Sequence, residues 1–391
     1  MKAMSPRVRL LVALLSTSLC GYILLGNLLG RVMGDTTYGQ LSVFNEVVRL
    51  VIDAYVDPVN LDRVMSGARA GLTDALDAES AYLEPEDLKA YQQPPREGDA
   101  DLGLVLTKRY GYLAVIAPRA GSPAEKAGVK SGDYIKTIDG RHTRGFSLPL
   151  GERALRGAPG SVVKLQILRP GTDPIDVQVV RERIEPQPAK GRVLPEGPGY
   201  IKVAEFGART ADEVRDEALS LKRGGARSLV LDLRDSAFGR PGEGVAAASV
   251  FMKGGVVGKI AGRRTAEEVL NADPRRSAWE LPVVVLVDNG TAGPAEVVAA
   301  ALKDAGHAVV GQRTSGRAPV QKLVTLPEGA LLLTVARYFS PKGDAIHGKG
   351  VEPSVPVAPV VDDDAASAAP PRDLALEKAI ELLSAEARKA A

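Results

Sequence analysis

Two short apolar runs most constrain the fold of this chain. Residues 228–233 and Val283–Val287 are almost continuously apolar, as strands are when both faces of their sheet are covered. Helical patterns fit residues 211–223 and 294–305. Residues 190–360 are therefore predicted to form an α/β core. Further strands are predicted at 309–310, 322–326 and 331–334.

Residues 97–184 have a different periodicity. Short strand patterns are separated by clusters of Gly, Pro and Asp. The strands are predicted at 102–106, 112–116, 134–138, 162–168 and 175–179, and short helices at 123–127 and 147–155. This stretch is predicted to be a small, mostly β domain inserted ahead of the core.

The N-terminus indicates a membrane segment. Residues 1–9 carry Lys2, Arg7 and Arg9 and no acid, and residues 10–30 are apolar. As a helix this run would be about 31 Å long, close to the hydrocarbon thickness of a bilayer. A cleaved signal usually has a shorter apolar core, so residues 1–34 are predicted to be a retained single-pass anchor. The basic flank should stay in the cytoplasm, which places the rest of the chain outside it.

The remaining segments are simpler. Residues 36–91 have two apolar patterns of helical period, and residues 92–98 form a linker. Residues 361–391 are predicted to be a flexible spacer followed by an amphipathic helix capped by Asp373. The apolar face of that helix is assigned to Leu374, Ala375, Ala379 and Leu382.

Composition excludes several functions. The 50 basic and 48 acidic residues leave a net charge of +2, and aromatic residues make up only 4%. That balance gives neither the basic surface nor the stacking platforms of a nucleic-acid binder. The only cysteine, Cys20, lies in the apolar N-terminal run. The three histidines are scattered (His142, His307 and His347), and His307 and His347 are predicted to lie on the surface. No metal site and no cofactor are therefore predicted.

Four segments, in order, resemble the carboxy-terminal processing (tail-specific) serine peptidases. They are YVDPVNLDRVMSGARAGLTDALDAESAYLEPED (55–87), GYLAVIAPRAGSPAEKAGVKSGDYIKTIDG (111–140), SLVLDLRD (228–235) and ARYFSPKGDAIHGKGVEP (336–353). The resemblance implies a crotonase/ClpP-like α/β core with an inserted PDZ domain. It also implies that this domain binds apolar C-terminal tails, and that the protein faces the periplasm from the inner membrane.

The resemblance places the catalytic positions on residues that lack catalytic chemistry. The family's nucleophile is the middle serine of a segment like GSASASE, which matches residues 290–296 and falls on Gly293. Its base is the lysine of a segment like FGKGSVQ, which matches 315–321 and falls on Arg317, while the assisting glutamine is kept as Gln321. Glycine has no nucleophilic group, and arginine does not release its proton in proteins.

The loop expected to hold the oxyanion is also altered. The family follows LDLR with a stretch like NNPGG, and residues 235–239 match it. Phe238 replaces the first glycine and Gly239 keeps the second. We expect Phe238 to disturb this loop, because a residue with a side chain does not readily adopt the backbone angles open to glycine.

An alternative is a displaced nucleophile. Thr291, Thr314 and Ser315 carry hydroxyl groups close in sequence to the lost positions. No free base is evident beside them in the sequence. Proteolysis through one of them stays open as a second hypothesis.

The predicted peptide groove departs from its usual form. The loop that holds a terminal carboxylate in PDZ domains resembles GLGF, and here it reads Asp101-Leu102-Gly103-Leu104. Asp101 would repel an incoming carboxylate. Glu152 lies on the helical face predicted to carry apolar contacts. The residues predicted to bind peptide are Leu102, Gly103, Leu104, Leu148 and Leu155.

Together these features predict a membrane-anchored, periplasmic pseudopeptidase. It would bind polypeptide segments or C-terminal tails of envelope proteins as a regulator, adaptor or scaffold, without nucleic acid. The alternatives are an active serine-type endopeptidase with a rearranged nucleophile and a purely structural envelope protein. The sequence leaves the oligomeric state open.

Overall fold

The computed structural model describes residues 37–93, 99–358 and 372–390. The chain divides into two compact units, the first ending at Ala68 and the second starting at Arg69. The elements up to residue 93 are α1 (Thr37–Ala54), α2 (Leu61–Asp74), β1 (Ala81–Leu83) and α3 (Pro85–Gln92). The two predicted helices are confirmed as α1 and α2, whereas β1 and α3 were not predicted.

The predicted membrane anchor, residues 1–34, lies outside the described residues. Within the described ranges, no helix combines the length and apolarity needed to cross a membrane. The predicted linker is described only up to residue 93, and the predicted spacer at 361–371 also lies outside the described part.

The PDZ-like domain is built on one antiparallel sheet. Its elements are β2 (Leu104–Arg109), β3 (Tyr112–Pro118), α4 (Pro123–Lys126), β4 (Tyr134–Ile138), β5 (Arg141–His142), a 3-10 turn at Thr143–Gly145, α5 (Leu148–Leu155), β6 (Val162–Leu168) and β7 (Ile175–Val180). The strand order is β2-β3-β4-β6-β7, and β5 pairs with β4. Each predicted strand is confirmed. Because β2 stands at the end of this order, its outer edge pairs with no other described strand of the sheet.

The rest of the second unit contains two further sheets. Its elements are β8 (Lys190–Val193), β9 (Gly199–Lys202), α6 (Thr210–Arg223), β10 (Leu229–Asp232), α7 (Pro241–Ala248), β11 (Val256–Gly262), β12 (Thr265–Asn271), β13 (Val283–Val287), α8 (Pro294–Asp304), β14 (Ala308–Gly311), β15 (Pro319–Thr325), β16 (Ala330–Phe339), β17 (Val355–Pro356) and α9 (Leu374–Ala390). Short 3-10 turns lie at Ser249–Phe251 and Pro274–Arg276.

The core sheet has the order β17-β14-β13-β10-β9-β8 and is parallel except for β8. Side chains that alternate along its strands enter two different apolar clusters. Leu231 and Val285 pack with α6, α7 and α8, whereas Val230 and Val284 pack with α9. Both faces are therefore covered, which confirms the prediction made from the continuous apolar runs.

The other sheet is antiparallel, in the order β1-β16-β11-β12, with β15 also paired to β16. The sequence predicted β15 and β16 but not the hairpin of β11 and β12, in which β12 is largely exposed and β11 is mostly half-buried. Ala81 pairs with Leu332 across β1 and β16. This pairing fixes the segment just before β1 beside the core, where it becomes part of the candidate site.

The terminal helix begins as predicted, because Asp373 Oδ1 accepts a hydrogen bond from the Leu376 amide at 3.0 Å. Asp373 also forms an ion pair with Arg234 at 2.9 Å. The predicted apolar face is partly wrong. Leu374 is exposed, and the fully buried positions are Ala379 and Leu383, four residues apart on one side of the helix.

A buried carboxylate, that of Asp232, lies at the carboxyl end of β10. Asp232 accepts hydrogen bonds from Tyr200 Oη and Arg234 Nη2, both at 2.7 Å, and forms an ion pair with Lys202 at 3.2 Å. Burial alone would raise the pKa of Asp232, but Lys202, Arg234 and Tyr200 outweigh it and lower the pKa to about 2. The carboxylate is therefore ionised in the folded protein near neutral pH.

Candidate functional site

The position that the family resemblance assigns to the nucleophile lies on a sharp turn between β13 and α8. Gly293 precedes the first residue of α8 and has φ +58° and ψ −117°. A strained strand-to-helix turn of this kind presents the nucleophile in elbow-type hydrolases. A Cβ at Gly293 would meet nothing nearer than the Arg317 carbonyl at 3.7 Å and the Ala237 carbonyl at 3.9 Å. The turn has room for a nucleophile, but no side chain occupies that room.

Glu296 joins this turn to the loop that carries Arg317. Its carboxylate is fully buried and accepts hydrogen bonds from the Gly293, Gly316 and Arg317 amides at 3.0, 2.7 and 2.8 Å. The Thr314 hydroxyl donates a fourth. Burial raises the pKa of Glu296 to about 7, although these hydrogen bonds act in the opposite direction. The two loops are thus held together by backbone contacts that require neither a serine nor a lysine.

Arg317 lies between two acidic side chains. Its Nε is 3.7 Å from Glu79 Oε1, and its Nη2 is 3.3 Å from Glu152 Oε1 in α5. Burial raises the pKa of Glu79, and the nearby Arg317 guanidinium offsets part of this effect, so that the pKa is about 7. Since a guanidinium remains protonated in proteins, Arg317 acts here as a fixed positive charge and not as a base.

Gln321, the assisting position of the family, has a structural contact. Its Nε2 donates to the Glu79 carbonyl at 2.8 Å. This bond connects β15 to the segment before β1 and fixes the backbone that carries the Glu79 side chain. The sequence did not predict that Glu79 and Glu152 contact Arg317, because both are distant from it along the chain.

The loop after β10 corrects one expectation. The left-handed backbone that demands glycine occurs at Gly239, with φ +116°, whereas Phe238 is not among the residues with positive φ. A Cβ at Gly239 would lie 2.1 Å from the Phe206 carbonyl oxygen. The expectation that Phe238 strains this loop is therefore wrong, because the neighbouring glycine meets the conformational requirement.

Phe238 instead contacts the PDZ-like domain. It packs, partly buried, on an apolar cluster that includes Val105 and Ile116 from that domain and Ala292 from the core. The Arg119 guanidinium lies 5.4 Å from the centre of its ring. The side chain that replaces glycine thus contributes to the contact between the two domains.

Pro294 lacks a backbone amide at a position where an oxyanion donor is expected, which was not predicted from the sequence. In elbow-type sites the amide of the residue after the nucleophile is one of the oxyanion donors. Here that residue is Pro294, at the first position of α8, and proline has no N–H. The signal was present in the sequence as the pair Gly293-Pro294, and only the turn geometry shows its consequence.

The alternative nucleophiles are placed unfavourably. Thr291 is completely buried and donates to the Leu233 carbonyl at 2.9 Å. Thr314 is buried and accepts the Val351 amide at 2.7 Å while donating to Glu296. Ser315 is half-buried, and within the described ranges its hydroxyl has no hydrogen-bond partner that could act as a base. Thr291 and Thr314 each donate to a carboxylate, that of Asp288 at 3.0 Å and that of Glu296, but both threonines are buried and closed to a substrate. None of the three therefore combines a base with an accessible hydroxyl.

The histidines differ from one another. His142 is exposed and His307 is half-buried. His347 was predicted to lie on the surface, which is wrong, because only 7% of it is exposed. It lies beside Glu79, with Nε2 3.8 Å from Glu79 Oε2. Burial lowers the pKa of His347, so its imidazole is neutral near pH 7.

The predicted peptide-binding residues divide into two groups. Leu102, Leu148 and Leu155 are buried in the core of the PDZ-like domain, and Leu104 is partly exposed on β2. Leu148 lines no part of the pocket described below, so its assignment to the groove is not supported, whereas Leu102, Leu104 and Leu155 line it. Most of these leucines therefore serve primarily as core residues.

The carboxylate-binding loop is occupied by its own side chain. Asp101 Oδ1 accepts the Gly103 amide at 2.5 Å. In a typical PDZ domain, amides of this loop hold the terminal carboxylate of the peptide. Asp101 therefore takes the place of a ligand carboxylate at Gly103, in addition to repelling one.

A pocket of about 180 Å³ lies between the PDZ-like groove and the loop after β10. Leu104 and Glu152 line it from the PDZ-like domain, and Phe238, Gly239 and Arg317 line it from the core. Because Arg317 Nη2 contacts Glu152, an ion pair spans the pocket from one domain to the other. This recess reaches Arg317 but is not lined by Gly293, which is buried.

Comparison with known proteins agrees with this architecture. Residues 197–357 match Peptidase family S41, and residues 115–169 match the PDZ domain. The chain is 29% identical to the carboxy-terminal processing protease CtpA of Bacillus subtilis (strain 168), over 88% of this chain and 75% of that protein. It is 31% identical to a carboxy-terminal-processing protease of Bartonella bacilliformis, over 83% of this chain and 76% of that protein.

A solved structure gives the same result. The photosystem II D1 C-terminal processing protease superposes with a TM-score of 0.68 at 29% identity, covering 87% of this chain and 96% of that one. The superposition and the sequence identities point to the same family. The chain belongs to the carboxy-terminal processing proteases of peptidase family S41.

Proposed function

We propose that this protein is a catalytically inactive member of its family that binds polypeptides. The observation that carries the proposal is the vestigial turn, where Gly293 offers no nucleophile and Arg317 is held as a cation between Glu79 and Glu152. Pro294 adds the loss of an oxyanion donor. An attacking group, its base and one stabilising donor are all missing from a frame that is otherwise well packed.

The edge strand of the PDZ-like sheet supports a polypeptide ligand. The outer edge of β2 faces the groove beside α5, and PDZ domains bind extended peptides by adding them as a strand at such an edge. Since Asp101 occupies the Gly103 amide, a ligand carboxylate would find its partner farther along the recess, at Arg317. Arginine holds carboxylates through paired hydrogen bonds.

The cellular role follows from binding without cleavage. The relatives are named as proteases, and their names describe those proteins alone. For this chain we propose a regulator, adaptor or scaffold for envelope proteins, with polypeptide segments or C-terminal tails as its ligands. Its location, on the periplasmic side of the inner membrane through residues 1–34, is proposed from the basic and apolar N-terminal sequence.

The test combines a cleavage assay with a binding assay on the purified full-length protein. Unfolded proteins with apolar tails should remain intact, while fluorescent peptides with the same tails should bind. Arg317→Ala should weaken that binding by about tenfold or more, because a charged hydrogen-bonded contact contributes roughly 1.5–3 kcal/mol. Arg313→Ala is the matched control, since Arg313 pairs with Glu352 outside the recess.

Two results would contradict the proposal in different ways. Cleavage that disappears in Ser315→Ala or Thr291→Val would establish the endopeptidase with a rearranged nucleophile. Absence of binding to a broad peptide library would instead favour a purely structural envelope protein.

A further inference from the structure

A buried polar cluster lies behind Arg317 and shares Glu79 with the Arg317 contacts described above. It consists of Asp77 and Glu79, from the segment before β1, and His347, from the turn after β16. One ligand-type atom from each residue lies within 4.8 Å of the other two, and Glu79 Oε2 is 3.8 Å from His347 Nε2. Residues far apart in the sequence are thus brought together by the pairing of β1 with β16.

His347 gives this cluster an unusual hydrogen-bonding deficit. The residue is 7% exposed, and neither ring nitrogen has a partner in good hydrogen-bond geometry in the described part of the chain. The Gly316 backbone lies close enough to the ring to act on the pKa of His347, in the direction opposite to burial. Buried polar groups are nearly always satisfied, and an exception often marks an ion or a water. A neutral imidazole nitrogen that faces a buried carboxylate is a natural ligand for a metal ion.

The surroundings hold the acidic residues in place. Asp77 Oδ1 accepts the Glu79 and Ser80 amides at 3.0 and 2.6 Å, which orients its carboxylate. Gln321 fixes the Glu79 backbone through the contact described above. Asp77 is only half-buried, so an ion can enter from its side. Outer contacts of this kind determine how precisely ligands are presented to a metal.

We propose that Asp77, Glu79 and His347 bind one divalent first-row transition cation. The two oxygens and one imidazole nitrogen suit Zn²⁺ better than Mg²⁺ or Ca²⁺, which prefer oxygen ligands alone. Three protein ligands leave the remaining positions to water. The site shares Glu79 with Arg317, but none of its three ligands lines the recess proposed to bind peptide.

The charge balance requires Arg317 to leave Glu79 when a cation binds. The ionised carboxylates of Asp77 and Glu79 carry two negative charges, which equal the charge of a divalent ion only when neither is paired with a guanidinium. Arg317 and Arg337 are the positive groups that face the cluster. Arg317 also contacts Glu152 at 3.3 Å, so it keeps an acidic partner when an ion binds Glu79. Ion binding would therefore shift Arg317 towards Glu152 and the recess.

The experiment titrates untagged, EDTA-treated full-length protein with Zn²⁺ against a chromophoric chelator. All proteins carry Cys20→Ser, because Cys20 is the only thiol in the chain. We expect one equivalent to bind, with at least tenfold weaker affinity in Glu79→Gln and in His347→Ala. His142→Ala, which removes an exposed histidine, should bind as tightly as the parent. Co²⁺ should give visible absorption bands in the parent that His347→Ala lacks.

Circular dichroism and thermal unfolding without metal would establish that each variant folds. If a folded His347→Ala protein retains stoichiometric binding, the ion sits elsewhere and the proposal fails. If the parent binds no stoichiometric Zn²⁺ or Co²⁺, the cluster holds water alone and the proposal also fails. Neither result would affect the test of peptide binding.

Discussion

We expect any side chain in place of Gly293 to lower the free energy of unfolding. Gly293 has φ +58° and ψ −117°, a combination outside the regions that residues with side chains usually occupy. Holding such a residue there costs of order 1–3 kcal/mol. Because an added Cβ would be 3.7 Å from its nearest neighbour, steric repulsion adds little. We therefore expect Gly293→Ala to lower the free energy of unfolding by about 1–3 kcal/mol.

Substitutions at two further glycines provide comparisons for the stability loss expected of Gly293→Ala. Gly239→Ala would place Cβ 2.1 Å from the Phe206 carbonyl oxygen, so the backbone must move and the loss should exceed about 4 kcal/mol. Gly160, with φ +80° and open space around it, reports the cost of a left-handed residue alone, about 1–2 kcal/mol. Urea unfolding can be followed through Trp279, which is the single tryptophan and is 1% exposed.

The expected order of destabilisation is Gly239→Ala far above Gly293→Ala, with Gly160→Ala similar to or below the latter. If Gly293→Ala unfolded with the same free energy as the parent, the turn would not have the strained backbone described for Gly293. If Gly293→Ala lost as much stability as Gly239→Ala, the space beside Gly293 would not be open. A confirmed cost would also mean that loss of the nucleophile relieved strain that active members must retain.

Three other predictions concern neighbouring features. The stability difference between the parent and Asp232→Asn should be full above about pH 5 and shrink by about 2 kcal/mol towards pH 2.5. The reason is that the pKa of Asp232 is lowered in the folded state, so its contribution is lost as pH falls through that pKa. A difference independent of pH, measured by urea unfolding, would contradict this. Phe238→Ala should speed amide hydrogen exchange where the PDZ-like domain meets the core, and unchanged exchange would show that the ring contributes nothing to that contact. The double variant Gly293→Ser with Arg317→Lys should still fail to cleave peptides. Adding Pro294→Ala supplies an oxyanion donor, so the triple variant should raise any cleavage by about 10²-fold or more. Equal rates in the double and triple variants would refute that role for the missing amide.

The sequence predicted those parts of the fold that depend on local patterns. The apolar run Val283–Val287 forms a doubly covered strand, and 134–138 and 162–168 form strands with the predicted bounds. The hairpin of β11 and β12 was not predicted, because the half-buried residues of β11 and the exposed residues of β12 give no clear apolar alternation. Periodicity reports burial, so elements with little burial leave a weak signal.

The chemistry of the site was only partly predictable. The register that aligned Gly293 with Arg317 agrees with the structure, since both backbones hydrogen-bond to Glu296. The partners of Arg317 and the buried state of His347 were not predictable, because they arise from the pairing of β1 with β16 across most of the chain. Contacts between distant segments leave no periodic pattern in a single sequence.

The buried carboxylate of Glu296 has a consequence for how such a protein can evolve. It binds backbone amides, which every residue except proline possesses, so the hydrogen bonds at positions 293 and 317 do not depend on which side chains stand there. Gly316 is different, because its φ of +80° and the closeness of the Gly350 amide nitrogen, 2.8 Å from an added Cβ, both require glycine. Evolution can therefore exchange residues at positions 293 and 317 while the surface around them keeps its shape, provided that Gly316 stays.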